Sequence, residues 1–188
     1  MVRFFASIVV FAWGLAHAAE PLTARDIERF IAVGQSLEAL EETYPDIDID
    51  MFGGDPQKIL ETIFGENGEP HIMSVLSSEL ASNPTVGRDF RKAVKDGGFD
   101  DVEEFGSIGD RITLTVFALN ISQADLNDLR SIENLPSEAV ENLPAGILEA
   151  MKRAQLFANA IDSVPQADRD TLRPYQDQIE GLGGDFGG

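Results

Sequence analysis

The sequence predicts an all-α fold, a single-domain irregular helical bundle of about seven helices, and three observations carry this. Apolar residues recur at helical spacing in one segment after another, Asp, Ser or Thr stands before several of those segments as a cap, and Gly or Pro closes them. No set of alternating strands, internal repeat or second domain interrupts the pattern.

The organising stretch is Gly97–Ile121. Gly97 or Gly98 supplies a left-handed residue that stops the preceding helix, and Phe99 folds back on its last turn. Asp100 is expected to cap the next helix in a capping box with Glu103. Beyond it Val102, Phe105, Ile108, Ile112 and Leu119 share one stripe, while Leu114, Val116, Phe117 and Ile121 spread the apolar surface round the helix. That pattern places the end of the helix in the middle of the domain. Gly106 and Gly109 lower helix propensity, so they mark the close approach of a neighbouring helix.

Before this stretch, Thr23-Ala24-Arg25-Asp26 caps a helix with Ile27, Phe30, Ile31, Gly34, Leu37 and Tyr44 on one face, and Pro45 stops it. Lys58 to Phe64 reads as a short helix and Gly65 to Pro70 as a loop. His71 to Ser82 is helical, with Ile72, Val75, Leu76 and Leu80 inward, and Asn83-Pro84 ends it. Thr85 to Asp96 buries Val86, Phe90, Ala93 and Val94 while Arg88, Arg91, Lys92 and Lys95 face water.

After it, Ser122 and Asp125 open a helix carrying Leu126, Leu129 and Ile132, and a short turn of helix, SEAVENL, lies between Pro136 and Pro144. Ala145 to Ile161 forms a second long core helix through Ile147, Leu148, Met151, Ala154, Ala158 and Ile161. A last helix runs from Gln166 to Glu180, with Leu172 and Ile179 inward and a kink at Pro174.

The ends of the chain read differently. Residues 1–18 combine Arg3, an apolar run from Phe4 to Leu15 and Ala16-His17-Ala18, the pattern of a cleavable export signal. The run is shorter than the roughly 20 apolar residues of a spanning helix, so no stable membrane insertion is expected once it is removed. Residues 19–180 form the helical domain, and 181–188, rich in glycine, a loose tail. A periplasmic or secreted location follows.

The formal charge is −19, and becomes −20 when Arg3 leaves with the signal. That excess repels nucleic acids and anionic lipid, and leaves positive partners open, divalent cations and a cationic protein or peptide, beside plain solubility. There is no cysteine, so packing alone must hold the fold.

Little in the sequence suits catalysis. His71 is the one histidine outside the signal, no G-x-S-x-G elbow is present, and one His without Cys cannot fill a zinc site of the usual kind. A carboxylate-based hydrolase is the remaining enzymatic reading, but the chain beyond the signal has two tyrosines and no tryptophan to form sugar subsites. Asp46, Asp48 and Asp50 alternate with Ile47 and Ile49 and are the candidate metal ligands, for a weak and irregular calcium site. Met51 and Gln57 stand where an EF-hand needs Gly and Glu, and the competing reading is solvated aspartates on a loop anchored by the two isoleucines.

The run GGF-DDVEEF-GSIGDRI, with VPQADRDTLRPY further on, resembles a pattern in uncharacterised small exported α-helical proteins of Gram-negative bacteria. The resemblance implies a periplasmic helical fold and carries no activity or catalytic residue. Within the run, Asp110 and Arg111 are the candidate interaction residues: an exposed pair pointing about 100° apart, or an Arg111 ion pair that pins a neighbouring helix or meets an acidic ligand. The function expected is a non-enzymatic binding or protein-interaction module with an acidic surface and no cofactor. The alternative is a helical carrier of a small apolar ligand, suggested by Phe30, Phe52, Phe64, Phe90, Phe105, Phe117 and Phe157, which serve equally to fill a core.

Overall fold

The computed structural model describes residues 20–44, 64–65, 68–130 and 145–182. These form an all-α, single-domain bundle. Helices α1 (Ala24–Thr43), α2 (Ile72–Ser82), α3 (Gly87–Asp96), α4 (Val102–Asn120), α5 (Gln123–Arg130) and α6 (Ala145–Ser163) are followed by α7 (Gln166–Leu172), a 3-10 turn (Arg173–Tyr175) and α8 (Gln176–Leu182). Helix α4 is the hub, packed against α1, α2, α3, α6 and α7, and α5 lies on α6.

Local chemistry sets most boundaries. At α1, the Thr23 hydroxyl accepts the Asp26 N–H at 3.2 Å and the Asp26 carboxylate accepts the Thr23 N–H at 3.0 Å, a reciprocal capping box. At the end of α3, Gly98 takes φ +89°, its N–H meets the Lys95 carbonyl, and the Phe99 N–H meets the Val94 carbonyl. That is the expected Schellman stop, with Phe99 buried beside it.

The cap of α4 lies one residue later than expected. Asp101 is the N-cap and accepts the Glu104 N–H at 2.8 Å, while Glu104 reaches back to the Asp100 N–H at 2.6 Å. Arg29 accounts for the choice: its guanidinium holds Glu104 at 3.1 Å and Asp26 at 2.7 Å, donates to the Gly98 carbonyl, and lies over the Phe99 ring. Helix α3 likewise starts at Gly87 and not Thr85, because the Asn83 side chain draws the Thr85 and Val86 amides into a turn.

The main core gathers Ile27, Phe30, Ile31, Val33, Phe90, Val94, Phe99, Phe105, Ile112 and Leu172. Phe105 is its centre, with Phe30 stacked at 5.4 Å and Phe99 and Phe90 edge-on at 5.3 and 6.1 Å. A smaller cluster of Ala118, Leu126, Ala158, Ile161 and Val164 joins α4, α5 and α6. Gly106 and Gly109 do admit a neighbour: a Cβ on Gly106 would stand 2.7 Å from the Ser74 Cα, and one on Gly109 2.8 Å from the Met73 Cβ.

Other expectations are corrected. The end of α4 is not the middle of the domain, since the buried residues concentrate between Phe105 and Ala118 while Phe117 is 39% exposed. Ile147 is half exposed because α6 packs mainly through its C-terminal half, at Ala158, Ala160 and Ile161. The last helix bends at Pro174 as expected, through the 3-10 turn. It continues past Glu180 to Leu182, whose side chain packs over Gly34. Phe64 forms an isolated antiparallel bridge with Pro70; the rest of the expected helix before it, SEAVENL and the tail from residue 183 lie outside the described residues.

Candidate functional site

An open groove lies in the corner where α4 hands over to α5, lined by Phe117, Asn120, Ile121, Asp125, Asp128 and Leu129. Its shape follows from two local features. The Ile121 N–H closes the last turn of α4 on the Phe117 carbonyl, and Ile121 then turns extended. Ser122 and Asp125 next form a capping box that starts α5: the Asp125 N–H meets the Ser122 hydroxyl at 3.1 Å, and that hydroxyl donates to the Asp125 carboxylate at 2.6 Å.

Phe117 forms the aromatic wall of the groove. It meets Phe157 of α6 edge-on at 5.3 Å, and Phe157 in turn meets Phe64 at 5.1 Å. Asn120 is fixed by α8: it donates to Glu180 at 3.1 Å and accepts from Gln176 at 2.8 Å. Hydrogen bonds from Gln176 and Asn120 hold the Glu180 carboxyl below its ordinary range. The groove thus joins apolar lining residues to Asp125 and Asp128.

Asp110 and Arg111, adjacent on α4, tie down different helices. Asp110 is buried, and its carboxylate accepts the Met73 N–H at 2.7 Å, the Ser74 N–H at 3.2 Å and the Ser74 hydroxyl. It thereby caps α2 from another helix, since the His71 side chain at the N-cap position makes no capping bond. Burial raises the Asp110 pKa, and this outweighs the opposing effects of the Ser74 and Met73 hydrogen bonds and of His71. Arg111 pins α7: Nε and Nη2 lie 2.8 and 2.6 Å from Oδ2 of the fully buried Asp168. The other Asp168 oxygen accepts the Leu22 N–H at 2.9 Å, and Arg111 also donates to the Glu20 carbonyl.

His71 is half exposed, with Nδ1 3.6 Å from Asp110 and Nε2 3.7 Å from Glu69. Ser74 donates directly to Asp110, so the histidine does not stand between hydroxyl and carboxylate as a nucleophilic relay requires. Asp46, Asp48 and Asp50 lie outside the described residues. Among the described residues no group of three or more His, Cys, Asp or Glu side chains could hold a metal ion. The basic face of α3 is exposed as expected; its cations meet intramolecular acceptors, Arg88 with Asp89, Arg91 with the Ala81 carbonyl, Lys92 with Asp96 and Lys95 with the Asp100 carbonyl.

Sequence reasoning missed Asp168 and Arg29. Asp168 sits in the first turn of α7, where an acid ordinarily suits the helix dipole in solvent, and nothing local signals that it is buried.

Fold and groove together define an all-α helical bundle with an open surface groove that two aspartates help to line. No protein-family model matches the chain, and no curated protein or solved structure matches it. No helix among the described residues is long and apolar enough to cross a membrane.

Proposed function

We propose that this is an exported, non-enzymatic binding module that takes a cationic, amphipathic segment of a partner protein into the groove between α4 and α5. The single observation that supports this reading most is the composition of that groove. Phe117, Ile121 and Leu129 give it an apolar lining, and Asp125 and Asp128 add carboxylates on a chain of net charge −19. An amphipathic helix docks by its apolar face, and basic residues flanking that face would meet the carboxylates. The leader-like start of the chain supports a periplasmic or secreted setting.

The test is fluorescence anisotropy with a labelled helical peptide built from Lys and Leu. Affinity should fall at least about tenfold between low salt and 0.3 M salt, where the Debye length drops well below 10 Å. Phe117→Ser and Asp128→Lys should each weaken binding at low salt, while Arg88→Ala, on α3, should not. Binding that ignores both salt and these substitutions, or no binding at all, overturns the proposal.

A further inference from the structure

The residues that follow the expected leader are built into the fold, although they belong to no helix. Leu22 is 3% exposed and belongs to the main core, as Leu172 does. Its N–H donates to the buried Asp168 at 2.9 Å, and the carbonyl of Glu20 accepts from Arg111. Pro21, between them, has no N–H to satisfy, and the Thr23 N–H goes to Asp26 at 3.0 Å. Every amide from Pro21 to Thr23 is therefore either absent or bonded. Asp168 accepts the Arg111 fork on one oxygen and Leu22 on the other, so the ion pair and the segment form one assembly.

We propose that the Arg111–Asp168 pair seats a latch over Glu20–Leu22, and that this latch sets the limit of N-terminal proteolysis: trimming of the folded chain stops before Glu20. A protease draws its substrate into its own cleft as an extended strand, which it can do only from an opened state. Opening here must break the Leu22 N–H bond to Asp168 and the Arg111 bond to the Glu20 carbonyl and strip Leu22 from the core, whereas a cut on the N-terminal side of Glu20 leaves every one of these contacts in place. The inference takes from the leader reading only what is removed, and is independent of what the groove binds.

The experiment has two parts. Chains started at Ala19, Glu20 and Thr23 are melted, and the chain started at Ala19 is treated with proteinase K and followed by intact mass. Ala19 and Glu20 starts should melt together and the Thr23 start about 5 °C or more lower. Cuts between Glu20 and Thr23 should be slow in the wild type and at least about tenfold faster in Arg111→Met. If Arg111→Met does not fold, Leu22→Ser, which leaves the ion pair in place, should show the same acceleration. Equal melting of the Glu20 and Thr23 starts, or equal cutting of wild type and variant, overturns the latch. The full chain expressed in a bacterial host tests the trimming limit separately: mature starts no later than Glu20 in the wild type, with starts reaching into Pro21–Thr23 in Arg111→Met, support it, and a wild-type start beyond Glu20, or the same starts in both, overturns it.

Discussion

Arg111 places Nε and Nη2 on a single oxygen of Asp168, at 2.8 and 2.6 Å, and leaves the other oxygen to the Leu22 amide. Asp168 is wholly buried, so its charge is tolerable only because it is paired and hydrogen-bonded on both sides. Asp168→Ala leaves the guanidinium without its partner and the Leu22 N–H without an acceptor, and should cost about 3–5 kcal/mol in urea unfolding. Arg111→Met should cost a similar amount. The double substitution Arg111→Met with Asp168→Leu should cost less than the sum of the two, because neither leaves an isolated charge behind.

The close contact of α2 with α4 reverses the usual sign of a glycine-to-alanine change. In an exposed helix Ala is favoured over Gly by about 1 kcal/mol. A Cβ on Gly106 would stand 2.7 Å from the Ser74 Cα, and that atom belongs to a backbone that cannot step aside alone. Gly106→Ala should therefore lower stability by about 1–3 kcal/mol. Gly181→Ala, where no atom lies within 4 Å of the added Cβ, should raise it by up to about 1 kcal/mol, both read from thermal melts.

Two carboxylates should pull the pH dependence of stability in opposite directions. Burial raises Asp110 above its ordinary 3.8, so the folded state binds its proton more tightly than the unfolded chain. Its contribution is most favourable below 3.8 and is lost as pH rises through the raised folded value. For Asp26 burial also acts upward, but hydrogen bonds from Thr23 and Arg29 and the Arg29 charge outweigh it and hold the pKa below 3.8. The stability Asp26 adds is present above 3.8 and is lost as pH falls through the lowered folded value. Asp110→Asn should remove the first slope at little cost, because its amide can accept from Met73 and donate to Ser74. Asp110→Ala should cost about 1–2 kcal/mol through the lost cap. Asp26→Asn should flatten the acid limb, and urea midpoints between pH 2 and pH 7 check all three.

Gly98 stands at φ +89°, where an L side chain costs about 1–2 kcal/mol. Gly98→Ala should destabilise by about that amount, and Gly98→Asn by less, since Asn tolerates the left-handed region. Chemical denaturation of the two variants side by side reads the order.

The helices were legible because their signals are local. Helical spacing, the Thr23 and Ser122 caps and the stop at Gly98 each depend on residues within a few positions of one another. The cap of α4 shows where local reading ends: the sequence points to Asp100 with Glu103, but Arg29, far off in α1, holds Glu104, and Asp101 becomes the cap. Phe117 looked like core because it follows the apolar pattern, yet a pattern does not tell which neighbours arrive to cover it. Of the candidate site residues, Asp110 and Arg111 stood out in the sequence, but their partners Ser74 and Asp168 did not, since those pairings exist only across packed helices.

Helix α2 begins without a cap of its own and borrows one from Asp110. Its first turn is thus completed only when α4 has docked, and α4 in turn leaves Gly106 and Gly109 bare unless α2 covers them. Neither helix is a finished part alone. The amides of Met73 and Ser74 should exchange with solvent only from the state in which the two helices have separated, so a probe at the start of α2 reports the opening of the domain's centre.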